Sequence, residues 1–289
     1  MATPSPTVRR KRLTVELRRL REQAGLTCDD VGHRLECSGT RISRMETGRI
    51  GARPGDVREL LEIYGVTGAE ADSLVQLARD ARRKGWWHAY GRVLPPWFEA
   101  YVGLESDAAR LHDFQPSVVP GLLQTEDYAR AVLRGAPHAR CGEDIDLQVA
   151  LRMRRQAILD QARPPQVHVV LSESVLWVRV GGPAVMRAQL LRLADLAARP
   201  DLTLQVLPLH TPAHAQPVSP VTMLEFTEPA DPTVVYLEHL TGSLLLEDEE
   251  EVRRYRMVFD HLRTEALGPG PSAGLIAAAA ARQALTSRP

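Results

Sequence analysis

Between Leu26 and Gly48 the chain runs through one short pattern twice. A hydroxyl residue is followed by apolar residues at helical spacing: Thr27 precedes Val31 and Leu35, and Ser38 precedes Ile42 and Met45. Serine and threonine in that place cap a helix, because the side-chain oxygen accepts a hydrogen bond from an otherwise unpaired backbone N–H. Asp29 and Asp30 fall in the first turn of the first helix, where negative charge suits the helix dipole. The second helix is expected over Gly39 to Glu46, ended by Thr47 and Gly48. Only Glu36 and Cys37 lie between the first helix and the Ser38 cap, so the two helices must cross at an angle, locked by residues 31, 35, 42 and 45. This is a helix-turn-helix layout, which places its second helix in the major groove of DNA.

The flanking sequence completes an all-α unit. Leu13, Leu17, Leu20 and Ala24 form one stripe of an amphipathic helix over 13–24, stopped by Gly25. Pro54 opens a fourth helix with Val57, Leu60 and Leu61 inward, and Thr67 caps a fifth that runs to about Lys84. Five short helices are therefore expected over 13–84, preceded by a basic arm over 1–12. Within the arm, Arg9-Arg10-Lys11-Arg12 suits either a strand that follows phosphates or enters the minor groove, or a disordered solubilising tail.

The charge distribution supports a polyanionic partner at this end. Lys+Arg and Asp+Glu both total 36, a formal net charge of zero. Residues 1–58 nevertheless carry 13 basic and 7 acidic residues, and residues 93–289 carry 18 basic and 24 acidic. The excess positive charge lies in the helical end, and the remainder has an acidic surplus. Ile42 and Met45 should face inward, leaving Thr40, Arg41, Ser43 and Arg44 outward. Arginine reads guanine through two parallel hydrogen bonds, while Ser and Thr contact bases or phosphates. The expected double-stranded DNA contacts are thus Arg10, Lys11, Thr27, Ser38, Thr40, Arg41, Ser43, Arg44 and Arg49.

The second region mixes both element types. RVLPPW (92–97) breaks the pattern, so residues 85–97 read as a linker. An α+β domain is expected over 98–267, with a small mixed sheet of about four strands at 167–171, 203–209, 221–226 and 233–240. Flanking helices are expected at 98–112, 124–134, 143–162, 184–198 and about 249–263, the last opened by the acidic run 247–251. Gly268-Pro269-Gly270-Pro271 reads as a linker before an alanine-rich helix over 273–285, which closes a 268–289 tail.

Catalytic signatures are missing: there is no G-x-S-x-G, G-x-G-x-x-G, Walker loop or H-E-x-x-H. His210 and His214 are four apart, but Pro212 between them makes the segment a loop. Glu173, Glu225 and Glu238 lie in or beside strands, where carboxylates are more often exposed or salt-bridged than catalytic. Trp86, Trp87 and Trp97 suit interdomain packing better than a ligand pocket. Cys28, Cys37 and Cys141 fit neither a disulfide framework nor a metal site. No enzyme, cofactor or metal is expected. The N-terminus has charge without an apolar segment, and the apolar run Leu275–Ala281 is too short for a bilayer. The expected location is cytoplasmic, on the nucleoid.

Residues of about 13–80, in the strings LRRLREQAGLT, VGHRL and ISRMETGR, resemble the lambda-repressor-like (Cro/XRE) DNA-binding domain. The resemblance implies a structural pair of Arg21 with Glu46. Cys28 stands where that family commonly carries a phosphate-binding Gln, and Gly39 brings no side chain to an early position of the recognition helix. Residues of about 95–265, through VPGLLQTEDYARA (119–131), residues 170–193, TLQVLP (203–208) and residues 234–260, are similar to the C-terminal domain of actinomycete helix-turn-helix regulators of the WhiJ-like kind. That resemblance implies a transcriptional regulator, often encoded beside a small acidic partner protein, and some such pairs are antitoxin–toxin-like. Homodimerisation is expected as well, because one short recognition helix buries little surface. The alternative is a neutraliser of the small partner whose DNA binding is autoregulatory.

Overall fold

Ser5 and Pro6 start the first helix two turns before the leucine stripe that predicts it. In a computed structural model of the chain, describing residues 5–136, 142–211, 219–228 and 231–286, helix α1 spans Pro6–Gln23. Ser5 Oγ accepts from the Val8 N–H at 3.4 Å, and proline sits comfortably in a first turn, where no N–H is needed. The basic arm expected over 1–12 is corrected accordingly: residues 6–12 are helical. Arg9 is buried and pairs with Asp80 at 3.4 Å, tying α1 to a later helix.

By its contacts the chain divides into two units, Met1–His88 and Ala89–Pro289. The first continues with α2 (Cys28–Arg34), α3 (Gly39–Glu46), α4 (Pro54–Tyr64) and α5 (Gly68–Ala81). Leu13, Leu17, Val31, Ile42, Val57 and Leu60 meet in one core, each at most 2% exposed. Burying an aliphatic side chain of this size stabilises a fold by about 1.5–3 kcal/mol, so this cluster, and not helix propensity, holds such short helices.

The second unit is α+β, a mixed sheet with flanking helices. Its strands are β1 (Arg110–Gln115), β2 (Gln166–Ser172), β3 (Leu202–Leu207), β4 (Val221–Glu225), β5 (Val234–His239) and β6 (Gly242–Leu246). Their spatial order is β3-β2-β1-β4-β5-β6; β1, β2 and β3 run parallel, whereas β4, β5 and β6 join antiparallel. The helices are α6 (Pro96–Glu105), α7 (Glu126–Gly135), α8 (Gly142–Arg155), α9 (Pro183–Leu196), α10 (Glu249–Glu265) and α11 (Pro269–Thr286). Asp248 caps α10 by accepting from the Glu250 and Glu251 N–H groups at 3.0 and 3.1 Å.

Three expectations change. The helix expected over 98–112 ends at Glu105, and residues 110–115 form the central strand β1. Strand β6 joins the four that were expected, so the sheet has six strands among the described residues. Gly268–Pro271 is not a linker, because Pro269 occupies the first turn of α11. The Ser272 hydroxyl is fully buried there, accepting from the Val206 N–H and donating to the Leu267 carbonyl, each at 3.0 Å.

Successive strand residues face opposite sides. From β1, Phe114 points with Val170, Leu207 and Val235 toward Val252, Phe259 and Leu262 of α10. Asp113 and Gln115 therefore point to the other side. No helix among the described residues is long and apolar enough to cross a membrane.

Candidate nucleic-acid interface

Two caps build the helix-turn-helix. Thr27 Oγ1 accepts from the Asp30 N–H at 3.1 Å while Asp30 Oδ2 accepts from the Thr27 N–H at 2.9 Å. Such a reciprocal box satisfies two N–H groups that the helix leaves unpaired. The Thr27 hydroxyl pulls the Asp30 carboxyl below its usual range, ahead of the Thr27 N–H. Ser38 Oγ accepts from the Arg41 N–H at 3.3 Å and starts α3.

The turn is a tight C-terminal motif with a non-glycine residue in the left-handed position. Glu36 has φ of 50°. The Cys37 N–H donates to the Gly32 carbonyl at 2.8 Å and the Glu36 N–H to the His33 carbonyl at 3.4 Å. The helices then approach so closely that two glycines are required. A Cβ on Gly32 would lie 2.7 Å from Gly39 N and 2.8 Å from the Cys37 carbonyl oxygen. One on Gly39 would meet Asp29 Oδ1 at 1.9 Å and Asp29 N at 2.9 Å. Gly39 thus has a packing role that the sequence reading, which noted only its missing side chain, did not find.

The end of α3 is anchored from below. Arg21 Nε donates to Glu46 Oε1 at 2.8 Å and Nη2 to Oε2 at 2.9 Å, while Nη1 donates to the Leu26 carbonyl at 2.7 Å. The pair is nearly buried, with 11% and 4% side-chain exposure. The hydrogen bond to Glu46 raises the Arg21 pKa. Cys28 Sγ lies 4.0 Å from Glu46 Oε2, and burial, then that carboxylate, pushes its thiol pKa up. At this position the chain offers no long amide to a phosphate. Tyr64 belongs to the same group, and burial raises its phenol well above the usual range.

Against this anchor, α3 turns Ile42 and Met45 inward and leaves Thr40, Arg41, Ser43 and Arg44 exposed. Arg41 is not free: its Nη2 lies 3.3 Å from Asp56 Oδ2 in the first turn of α4. Asp56 was not singled out from the sequence, although its place two residues after Pro54 marks it as a first-turn acid. The Arg44 side chain makes no hydrogen bond or ion pair among the described residues. Thr27, Ser38 and Arg49 are exposed as well, the first two with their hydroxyl oxygens engaged in caps. Arg10 is exposed on α1, whereas Lys11 is half-buried with its Nζ turned away from solvent, and both stand on a helix and not on a flexible arm.

The remaining candidates are dispersed. Glu173 Oε2 accepts from the Leu209 N–H, Glu225 pairs with Arg110 and Arg256, and Glu238 accepts from the Tyr236 hydroxyl. His210 is exposed in the turn after β3, while His214 and Cys141 lie outside the described residues. Trp86 and Trp87 meet edge to face in the first unit at 5.9 Å, and Trp97 meets Phe98 in the second at 5.7 Å.

The α3 geometry agrees with a comparison of the chain with known protein families. A helix-turn-helix domain model matches residues 12–74, and this domain marks the chain as a DNA-binding regulator. A model described as a domain of unknown function (DUF5753) matches residues 98–278. Comparison with curated proteins and with solved structures returned no match. Because the second model spans well over half of its length, the chain belongs to the DUF5753 domain family, here joined to an N-terminal helix-turn-helix domain.

Proposed function

We propose that the chain is a sequence-specific transcriptional regulator that binds double-stranded DNA as a homodimer and acts on the cytoplasmic nucleoid. In this reading the helix-turn-helix is of the Cro/XRE type and the second unit of the actinomycete WhiJ-like kind. That unit sets activity by binding a partner protein or ligand, or by dimerising. The observation that carries the reading is the exposed row Thr40, Arg41, Ser43 and Arg44 on a short helix pinned from beneath by Arg21 and Glu46. A rigid helix with free donors on its outer face suits base edges. Arg44 is the leading base contact, because Arg41 must first leave Asp56. Arg10, Lys11 and Arg49 contribute phosphate contacts, with Thr27 and Ser38 at the helix starts.

Arg44→Ala should cost about 1–3 kcal/mol on the selected site and relax its sequence preference, measured by titration against cognate and scrambled duplexes. Arg10→Ala should weaken both duplexes alike and reduce the salt slope by about one. Equal losses on both duplexes for Arg44→Ala would overturn the recognition role of α3. A chain that sediments as a monomer at micromolar concentration, with and without DNA, would overturn the dimer.

The reading is of a binding protein and not an enzyme, supported by the separate engagements of Glu173, Glu225 and Glu238. A second reading, a neutraliser of a small partner protein encoded nearby, is favoured by apolar side chains left exposed on the second unit. Leu244 on the sheet-edge strand β6 is 46% exposed and Met257 on α10 is 58% exposed. Co-purification of a small acidic protein from the source cell, lost on Leu244→Glu, would support it.

A further inference from the structure

The face of the sheet opposite α10 closes over a cavity of about 400 Å³, lined by α6, α8, β1, β4, β5 and the loop 118–124. That volume is in the range of small-molecule pockets, about 300–1,000 Å³. Tyr101 and Tyr236 form an aromatic wall with ring centroids 4.1 Å apart, and Leu240 stands exposed at the mouth.

The charged side chains around this cavity are engaged to different degrees. Arg155 pairs with Glu105, with Nε and Nη2 each 2.7 Å from its carboxylate, and its guanidinium lies over Phe98 and Tyr101. Glu238 accepts from Tyr236 at 3.1 Å. Arg152, partly buried and within the field of Glu238 and Glu105, donates through Nη1 to the neutral Gln124 amide oxygen at 2.6 Å. No carboxylate among the described residues forms an ion pair with it, and Nε and Nη2 remain available. A buried cation normally has an anionic partner. Asp113, on the floor, accepts from Gln115 and Thr222 at 2.8 and 3.3 Å, both through Oδ1. Oδ2 accepts nothing among the described residues.

We propose that the cavity binds a small zwitterion, a carboxylate and an ammonium on an apolar body, with Arg152 holding the carboxylate and Asp113 the ammonium. A guanidinium fork matches a carboxylate in two parallel hydrogen bonds. Three carboxylates on the lining, Glu105, Asp113 and Glu238, disfavour a dianion such as phosphate. A purely apolar ligand would leave Arg152 and Asp113 desolvated and unmatched. Burial holds the Asp113 carboxyl up at about 7, against the lowering effect of Gln115, Thr222 and Arg155 and alongside the raising effect of Glu105. Burial and then Arg155 bring Arg152 down to about 10, still a cation at neutral pH. An ammonium beside Asp113 would fix it ionised, so binding near neutral pH should release protons.

The test uses the full chain, thermal melting and calorimetry. The probes are the twenty free amino acids and their dipeptides with glycine, inorganic phosphate, and the deaminated and decarboxylated analogues of the best binder. At least one zwitterion should raise Tm and bind more tightly than either analogue. Arg152→Met should weaken it about 10- to 100-fold. Asp113→Asn should weaken the zwitterion about 10-fold, leave the deaminated acid unchanged, and abolish the proton release read from two buffers of different ionisation enthalpy. Leu240→Trp, at an exposed position, should also weaken binding, and it decides the question if Arg152→Met fails to fold. The proposal is overturned if no zwitterion binds, if phosphate binds best, or if binding is indifferent to Leu240→Trp. None of these outcomes bears on DNA binding by α3, which is measured separately.

Discussion

A nearly buried arginine–glutamate pair lies in each unit, and the two have different neighbours. Arg21 and Glu46 close on each other beneath α3, with a backbone carbonyl taking the remaining donor. Arg155 and Glu105 close just as tightly between α8 and α6, but one helical turn away Arg152 has only an amide. The first pair is a finished anchor that presents the Arg44 cation outward on α3. The second sits beside an unfinished one that faces inward. A cation left incomplete at the surface suits a polyanion that arrives from solvent, whereas one left incomplete inside an enclosure suits a molecule small enough to enter.

The sharpest way to break this contrast is to remove each glutamate. Glu105→Ala should cost about 3–5 kcal/mol, since it leaves Arg155 charged and enclosed, with Tyr101 losing its acceptor. Glu46→Ala should cost less, about 2–3 kcal/mol, because Arg21 keeps its Leu26 contact and some solvent. Urea denaturation checks both, and a reversed order would undo the comparison. Next in size is Gly32→Ala, expected to cost about 1–3 kcal/mol by forcing α2 and α3 apart; DNA affinity should fall with it, which a filter-binding titration would show.

The smallest expected effect concerns pH. The Asp113 carboxyl is raised to about 7 in the folded chain and returns to the ordinary range on unfolding. Folding therefore favours its protonated form, so this stabilisation is complete at acid pH and is lost as pH rises through about 7. Between pH 6 and 8 the loss should be about 1 kcal/mol. Asp113→Asn should remove that part of the slope, seen as a difference between the two chains in Tm against pH.

What could be read from the sequence follows how local each instruction is. Thr27, Ser38 and the spacing of Val31, Ile42 and Met45 act within a few residues, so α2, α3 and the outward row were legible. Arg21 and Glu46 are distant in sequence and came only through a family resemblance. Strand β1 was missed because RLHDFQ has no β-branched residue and puts His112 and Asp113 at the centre of a sheet, where apolar residues are expected. That polar interior strand is also where the cavity floor lies, in keeping with the tendency of local rules to fail at functional positions. The Ser5-Pro6 start of α1 carried a capping signal, but the arginines that follow drew the reading toward an arm. Pro269 misled in the opposite way, since proline opens helices as well as breaking them.

Strand β1 also sets an order of assembly. It pairs with β2 more than fifty residues later and with β4 more than a hundred residues later, Arg110 opposite Gln166 and Glu225. The sheet therefore waits for distant segments before it can close. On a ribosome, the first unit would be complete while the second still lacked the strands that flank β1. A message cut short between the two units would therefore yield the helix-turn-helix domain alone.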